Sequence, residues 1–389
     1  MSKIQISNKV QELKPSAIRR FFGLVESMPN AISLSIGEPD FVTPWSIRES
    51  GIFSLEKGRT HYTANLGMIE LREEIARYLK NRFSVSYNPK TEIMVTVGVS
   101  EGLDLAMRTC VNEADAVIIP QPSFVAYPAT VFLAGGTPVP FPCHEENNFK
   151  IDVDEFERAV IENKSRLAIL GFPNNPTGAV MERAELEKIA EIAKKNDMTI
   201  ITDEIYAELV YGEQMPLSFA ALDGMRERSI LLGGFSKSFA MTGWRLGYVA
   251  APENVIANMN KIHSYTCMCA PTPAQIAAIE ALKNGGKEIE KMRSEYDRRR
   301  RFILDRFSKI GLPCFEPKGA FYLFPSIKHT GLSSIEFAER LLMEHEVAVV
   351  PGSAFGECGE GYIRCCYATS MENIKIALDR IESFLKKLK

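Results

Sequence analysis

The chain has 389 residues, of which 46% are apolar and 24% charged, enough apolar material for one large or two to three ordinary cores, so disordered and fibrous classes are excluded. Its 46 Lys and Arg stand against 49 Asp and Glu, a formal net charge of −3, which offers no broad electrostatic basis for binding nucleic acid or an anionic membrane. The N-terminal MSKIQISNKVQELK lacks an apolar stretch behind its lysines, so no secretory signal is expected, and the eight scattered cysteines show no zinc-ligand spacing and read as reduced thiols of a cytoplasmic protein.

In chain order, short β-branched apolar runs alternate with polar, helix-periodic stretches. The runs are Ile93–Val97, Ala116–Ile119, Thr137–Phe141, Leu167–Gly171, Thr199–Thr202, Ser229–Leu232 and Leu246–Ala250. Such a rhythm predicts an α/β fold with a mostly parallel seven-stranded sheet. Ala116 to Cys143 contains no charged residue and is long enough to cross a bilayer. Pro120, Pro122, Pro128, Pro138, Pro140 and Pro142 break it, however, so it reads as buried strand, loop and short helix. Arg183–Asn196 places Leu186, Ile189, Ala190 and Ala193 on one helical face. Beyond about residue 285 the rhythm fades. Lys287–Phe307 reads as a long charged amphipathic helix, and the remainder as two or three strands with two helices, a smaller α+β unit. The run Arg298–Arg301 follows Glu288, Glu290, Glu295 and Asp297 on that helix without interleaved aromatics, and is expected to be a solvated face rather than a nucleic-acid site.

Ligands of open parallel sheets bind at the carboxyl ends of strands. Four polar clusters stand there: Gly98-Val99-Ser100-Glu101-Gly102, Pro173-Asn174-Asn175-Pro176-Thr177-Gly178, Asp203-Glu204-Ile205-Tyr206 and Gly233-Gly234-Phe235-Ser236-Lys237-Ser238. Singly, Asp203 reads as a helix cap, Asn175 as a turn former and Arg245 as half of an ion pair; jointly they point to one site. Gly98–Gly102 also fits the G-x-S-x-G nucleophile elbow, which keeps a serine hydrolase using Ser100 as an alternative if His263, His329 or His345 completes a triad. The other use of that turn is a helix N-terminus whose amides and Ser100 hydroxyl hold a phosphate. No P-loop pattern is present, so the phosphate is not that of a P-loop nucleotide. A phosphate cradle, a lysine amine, a carboxylate and an arginine at one sheet edge suit pyridoxal 5′-phosphate, whose aldehyde forms a Schiff base with lysine and whose ring nitrogen pairs with an acid.

The chain resembles a class I/II aminotransferase of the aspartate aminotransferase fold, a fold-type I pyridoxal-phosphate-dependent transferase. Resemblance runs through Ser35-Ile36-Gly37-Glu38-Pro39-Asp40-Phe41, His61-Tyr62-Thr63, Gly67 with Glu70-Leu71-Arg72, Pro173–Gly178, Asp203–Tyr206, Ser236-Lys237 with Met241–Tyr248, Gly319–Tyr322 and Tyr362-Ile363-Arg364. It implies that Lys237 forms the Schiff base and moves the substrate proton. Asp203 would pair with the ring nitrogen, and Tyr206 and Asn175 with the phenolic oxygen. Val99, Ser100, Ser236 and Arg245 would hold the phosphate, with Phe124 on the cofactor face. Arg364 would grip the substrate carboxylate, assisted by Asn175 and the Gly37 backbone, and no metal is implied. Tyr62 would reach the phosphate of a neighbouring subunit, implying a homodimer with shared sites. A large cofactor domain at 46–284 and a small domain of 1–45 plus 285–389 follow.

Two departures stand out. Ala114 occupies a position where relatives commonly have glycine, and Cys365-Cys366 follow Arg364 where relatives carry an aliphatic and a small residue; a buried inert thiol pair is expected. The likeness is nearest to the bacterial subgroup of aspartate and N-acetyl-LL-diaminopimelate aminotransferases, with aromatic enzymes as relatives. Arg19 or Arg20 is a candidate partner for a distal carboxylate, while Phe21, Phe22 and Tyr322 would suit an apolar side chain. A carbon–sulfur β-lyase is an alternative because the fold does not decide which bond breaks. A regulator with a DNA-binding extension is disfavoured by the short stretch before the first motif.

Overall fold

The computed structural model describes residues 4–13, 28–212 and 216–388. Among the described residues the strands, in chain order, are β1 (Ile32–Ser33), β2 (Ile93–Thr96), β3 (Ala116–Gln121), β4 (Thr137–Pro142), β5 (Leu167–Leu170), β6 (Thr199–Asp203), β7 (Ser229–Gly234), β8 (Gly247–Ala250), β9 (Tyr322–Leu323), β10 (Val347–Ala348), β11 (Val350–Pro351) and β12 (Ile363–Cys366). All seven runs expected as strands of the main sheet form it, in the order β2-β8-β7-β6-β5-β3-β4. Strands β4, β3, β5, β6 and β7 pair in parallel, while β8 lies antiparallel between β7 and β2. Strands β2 and β5 are buried along their whole length, which is why they read as predominantly apolar runs.

Helices cover both faces. Arg183–Lys195 starts with a reciprocal capping box between Glu182 and Glu185 and buries Leu186, Ile189, Ala190, Ile192 and Ala193 against the sheet. The charge-free stretch folds as β3, a helix at Ala126–Leu133 and β4, as its prolines require. Among the described residues no helix is long and apolar enough to cross a membrane. All eight cysteines are free thiols.

A second apolar cluster runs from Leu34 through Phe307, Phe321, Phe337 and Ile363 to Phe384 and also takes in Tyr206, Leu209, Tyr211 and Ala240 beside the main sheet. It joins two distant segments: β1 pairs in parallel with β10, and Leu34 N donates to Ala348 O at 2.8 Å. Strands β11, β12 and β9 form a small antiparallel sheet. The smaller α+β unit holds more strands than the sequence suggested because β1, β9, β10 and β11 are two residues each, too short to show a period of two.

The long helix spans Gly286–Ile310, and its arginine run corrects the expectation of a solvated face. Arg299 is 6% and Arg300 4% exposed, whereas Arg298 and Arg301 face solvent. Successive helical residues step by about 100°, so four in a row cannot share one face. The two inward guanidiniums are paired with acids: Arg299 with Asp40 and Glu295, Arg300 with Asp297 and Glu316.

Candidate active site

The sheet's one antiparallel strand explains how the site assembles. The carboxyl ends of β2, β3, β5, β6 and β7 lie at one edge, and β8 runs the other way, so Arg245 at its start arrives there too. Val99, Ser100, Phe124, Asn175, Asp203, Tyr206, Ser236, Lys237 and Arg245 line one cavity of about 280 Å³, and Gly37, Tyr322 and Arg364 of the smaller unit close it from above. Every site residue expected from the sequence lines this cavity except Tyr62, which is 80% exposed on the surface of the chain. Arg19, Arg20, Phe21 and Phe22 lie outside the described residues.

Asp203 ends β6 as a buried carboxylate. Tyr127 Oη donates to its Oδ2 at 2.9 Å and the Ile205 amide to its Oδ1 at 3.2 Å. Burial raises its proton affinity against those two bonds and the charge of Lys237, and among the described residues no cation forms an ion pair with it. Tyr127 was not singled out in the sequence. In the structure its ring meets that of Phe124 edge-on at 5.7 Å, and a Cβ on Gly171 would stand 2.5 Å from its hydroxyl.

Lys237 follows β7 and donates from Nζ to Gly37 O at 2.7 Å. Burial is the main cause that lowers its amine to about 8, with Arg364 and Arg245 acting in the same direction and Cys366 and Glu38 opposing. An amine poised there is available as nucleophile and base near neutral pH.

Tyr206 Oη and Tyr322 Oη share a hydrogen bond of 2.6 Å, and burial pushes the Tyr206 phenol well above its ordinary range. Arg364 donates from Nη1 to Asn175 Oδ1 at 2.8 Å and from Nη2 to Ser35 O at 2.5 Å, while its buried Nε has no partner among the described residues. Its guanidinium lies 4.5 Å from the Tyr322 ring centroid and 5.0 Å from that of Phe355. A Cβ on Gly37 would collide with the Tyr322 hydroxyl, so only glycine lets that backbone approach. Cys365 and Cys366 are buried, and burial pushes both thiols up, that of Cys366 to about 11, as expected of an inert pair.

The opposite end of the cavity is an anion cup. Helix Gly98–Cys110 starts there, with the Glu101 side chain accepting from Val97 N and Thr96 Oγ1 donating to Gly98 O at 2.9 Å. Gly98 has φ +72°, and a Cβ would stand 2.6 Å from Arg245 Nη2; one on Gly247 would stand 2.6 Å from Val99 N. Free amides of a helix start, two serine hydroxyls and a guanidinium are the components of a phosphate site. This geometry overturns the hydrolase alternative. Ser100 belongs to the first turn of that helix, fully buried His263 engages Glu101 Oε1 through Nδ1 at 2.8 Å, and neither His329 nor His345 lines the cavity.

Comparison with known proteins agrees with this architecture. The family model described as aminotransferase class I and II matches residues 29–381. A Bacillus subtilis (strain 168) protein named "Putative aminotransferase YugH" is 55% identical over 98% of each chain. An aspartate aminotransferase of Pyrococcus abyssi is 47% identical over 99% of each. The crystal structure of an aromatic aminotransferase from Pyrococcus horikoshii superposes with a TM-score of 0.91 at 47% identity, covering 95% of this chain and 100% of that one. These relatives are named aminotransferases and support neither the β-lyase nor the hydrolase alternative.

Proposed function

The chain belongs to the class I and II aminotransferases and is itself an aminotransferase, and on that premise we propose that it moves an amino group between an L-amino acid and a 2-oxo acid such as 2-oxoglutarate, with pyridoxal 5′-phosphate held in the cavity. The carrying observation is a buried carboxylate, Asp203, that forms no ion pair among the described residues, in a cavity that also presents the depressed amine of Lys237 and an anion cup. A phosphorylated aldehyde with a basic ring nitrogen fits that donor set. Bound there, pyridoxal phosphate supplies the carbonyl that takes up the amino group and a protonated ring that withdraws electrons from the substrate Cα.

The protein's own groups divide the remaining work. Asp203, oriented by Tyr127, keeps the ring nitrogen protonated, and Tyr206 and Asn175 donate to the phenolic oxygen. Val99 N, the Ser100 and Ser236 hydroxyls and Arg245 bind the phosphate, and the Phe124 ring packs on the cofactor face. Lys237 would be the amine that holds the aldehyde, and its side chain is placed to take the proton from the substrate Cα. Arg364 binds the α-carboxylate with its free Nε and its guanidinium fork, with the Asn175 side chain and the Gly37 backbone completing the site.

The pairing of β1 with β10 supports a small domain of 1–45 plus 285–389 that moves over a large domain of 46–284 and brings Gly37 and Arg364 down on the substrate. A homodimer is supported by exposed large apolar side chains, Trp45, Phe53, Leu55, Tyr62, Tyr265 and Met268 among them, which a second copy would cover if Tyr62 reaches its phosphate. Free thiols throughout suit the cytoplasm. The three cations lining the cavity all have assigned roles, so a side-chain carboxylate would be met by Arg19 or Arg20, whereas an aromatic donor needs no further charge.

The test is the absorbance of the purified protein as L-glutamate, L-aspartate and L-phenylalanine are added in turn, followed by 2-oxoglutarate, with Lys237→Ala alongside. Loss of the visible band with at least one donor, its return with the oxo acid, and no cycling in the variant are expected. A protein that keeps its band with every donor tried contradicts the assignment of substrate and site.

A further inference from the structure

We propose that Arg299 is a positioning residue for the substrate-carboxylate site: it clamps the Ser35–Phe41 segment, which carries Gly37, to the end of the strand that carries Arg364. The inference rests on the reading of Gly37 and Arg364 as that site. Arg299 is buried and lies outside the cavity lining. Its Nη1 donates to both Asp40 carboxylate oxygens at 2.9 Å and to Tyr367 O at 3.4 Å, and its Nε to Glu295 Oε1 at 2.8 Å. Its guanidinium also lies 5.6 Å from the ring centroids of both Phe41 and Tyr296.

The positions of its partners define the role. Asp40 lies three residues beyond Gly37, and Tyr367 three residues beyond Arg364. The two segments already meet at their near ends, where Arg364 Nη2 donates to Ser35 O at 2.5 Å and Cys366 N to Leu34 O at 2.7 Å. Arg299 ties together the far ends, so the Gly37 backbone is held from both sides relative to the Arg364 guanidinium. A planar fork serves Asp40, Glu295 and a carbonyl at once; the compact charge of a lysine does not. Two carboxylates compensate the buried cation, and such a group is costly to bury without them. The Gly37 backbone and Arg364 must address one carboxylate together, so a displacement of about 1 Å between them weakens binding of that group while leaving the Asp203 and Lys237 side of the cavity in place.

The test uses the cofactor-loaded Arg299→Lys and Asp40→Asn proteins. Disappearance of the visible band is timed with L-phenylalanine and with 2-phenylethylamine, and with L-glutamate and 4-aminobutyrate; each amine lacks only the α-carboxylate of its partner. A spectral titration with a 2-methyl amino acid, which binds but has no α-hydrogen, gives a dissociation constant. Both variants should lose about 10- to 100-fold in rate constant per substrate concentration with the amino acids, stay within about twofold of the parent with the amines, and bind the 2-methyl amino acid correspondingly more weakly. The visible band and its pH midpoint should not move. Unchanged amino-acid kinetics in both variants, or an equal loss for acid and amine, overturns the proposal. Should Arg299→Lys fail to fold, Asp40→Asn at the partly exposed end of the pair decides alone. Arg364→Lys separates the two levels of inference. If it leaves the acid-to-amine ratio intact, the carboxylate site itself is misassigned; if it collapses the ratio while the Arg299 and Asp40 variants do not, only the clamp is wrong.

Discussion

The cavity floor takes its residues from strand ends that are neighbours in one sheet, whereas its roof joins Ser35 to Arg364, 329 residues apart in the chain. On the floor, each group sits within a few residues of a strand end, so its place follows from the strand: Asp203 is the last residue of β6, and Ser236 and Lys237 follow β7. The roof has no such local template. Gly37 and Arg364 are held by long-range contacts, and the ion pairs of Arg299 and Arg300 anchor the segments that carry Gly37 and Tyr322. Floor and roof should therefore fail differently: damage to the floor removes chemistry, and damage to the roof removes substrate binding.

The largest effect that tests this contrast is Asp203→Asn. An amide in that place brings no charge to the ring nitrogen, and turnover should fall by about 10²- to 10³-fold at saturating substrate while KM changes little. Steady-state kinetics at matched cofactor occupancy reads it; a loss confined to KM would put Asp203 with the roof. Arg364→Lys should show the reverse pattern. Losing a bidentate bond to a charged group costs about 1.5–3 kcal/mol, an increase in KM of roughly ten- to a hundredfold with a smaller change in turnover.

A smaller effect lies where floor and roof meet, at Lys237. In protein stripped of cofactor, burial and the roof's Arg364 favour the neutral amine, so the rate of reconstitution with pyridoxal phosphate should rise with pH and level off above about 8. A midpoint near the ordinary lysine value of 10.5 would show that the roof does not enclose the amine. The same shift has a signed consequence for stability. Between about 8 and 10.5 the unfolded chain retains a proton that the folded chain has released, so the cofactor-free protein gains stability as pH rises through that window, readable by denaturant melts.

The same contrast governs what the sequence disclosed. The strands of the main sheet and the clusters at their ends were legible because every strand but the edge strand β4 is buried on both faces, which leaves an apolar run, and a polar residue at its end has few structural uses. Tyr127 escaped because its role is set across the sheet edge by Asp203, 76 residues away. Tyr62 was named from family resemblance, and in the single chain it stands apart from the cavity, exposed on the surface. The arginine run was misread because charge pattern alone suggests solvent. Burial of Arg299 and Arg300 depends on Asp40 and Glu316, partners that no local window contains.

The smallest predicted effect separates scaffold stability from chemistry on the floor itself. Ala114 sits in the turn before β3 at φ +65°, with its amide bonded to Gly135 O at 2.8 Å. The sequence had marked this position for lacking glycine, and the chain adopts the left-handed conformation anyway, so alanine carries a strain of about 1–2 kcal/mol there. Ala114→Gly relieves it but gives the unfolded chain about 0.4–1 kcal/mol of extra conformational freedom. The net gain should be up to about 1.5 kcal/mol, measured as a shift in denaturant midpoint without a change in slope. Because the turn lies at the amino end of β3, away from the edge that carries the cavity, turnover and KM should remain those of the parent. A change in either would mean that strain in a distant turn reaches the strand ends, and the floor would then be no more locally determined than the roof.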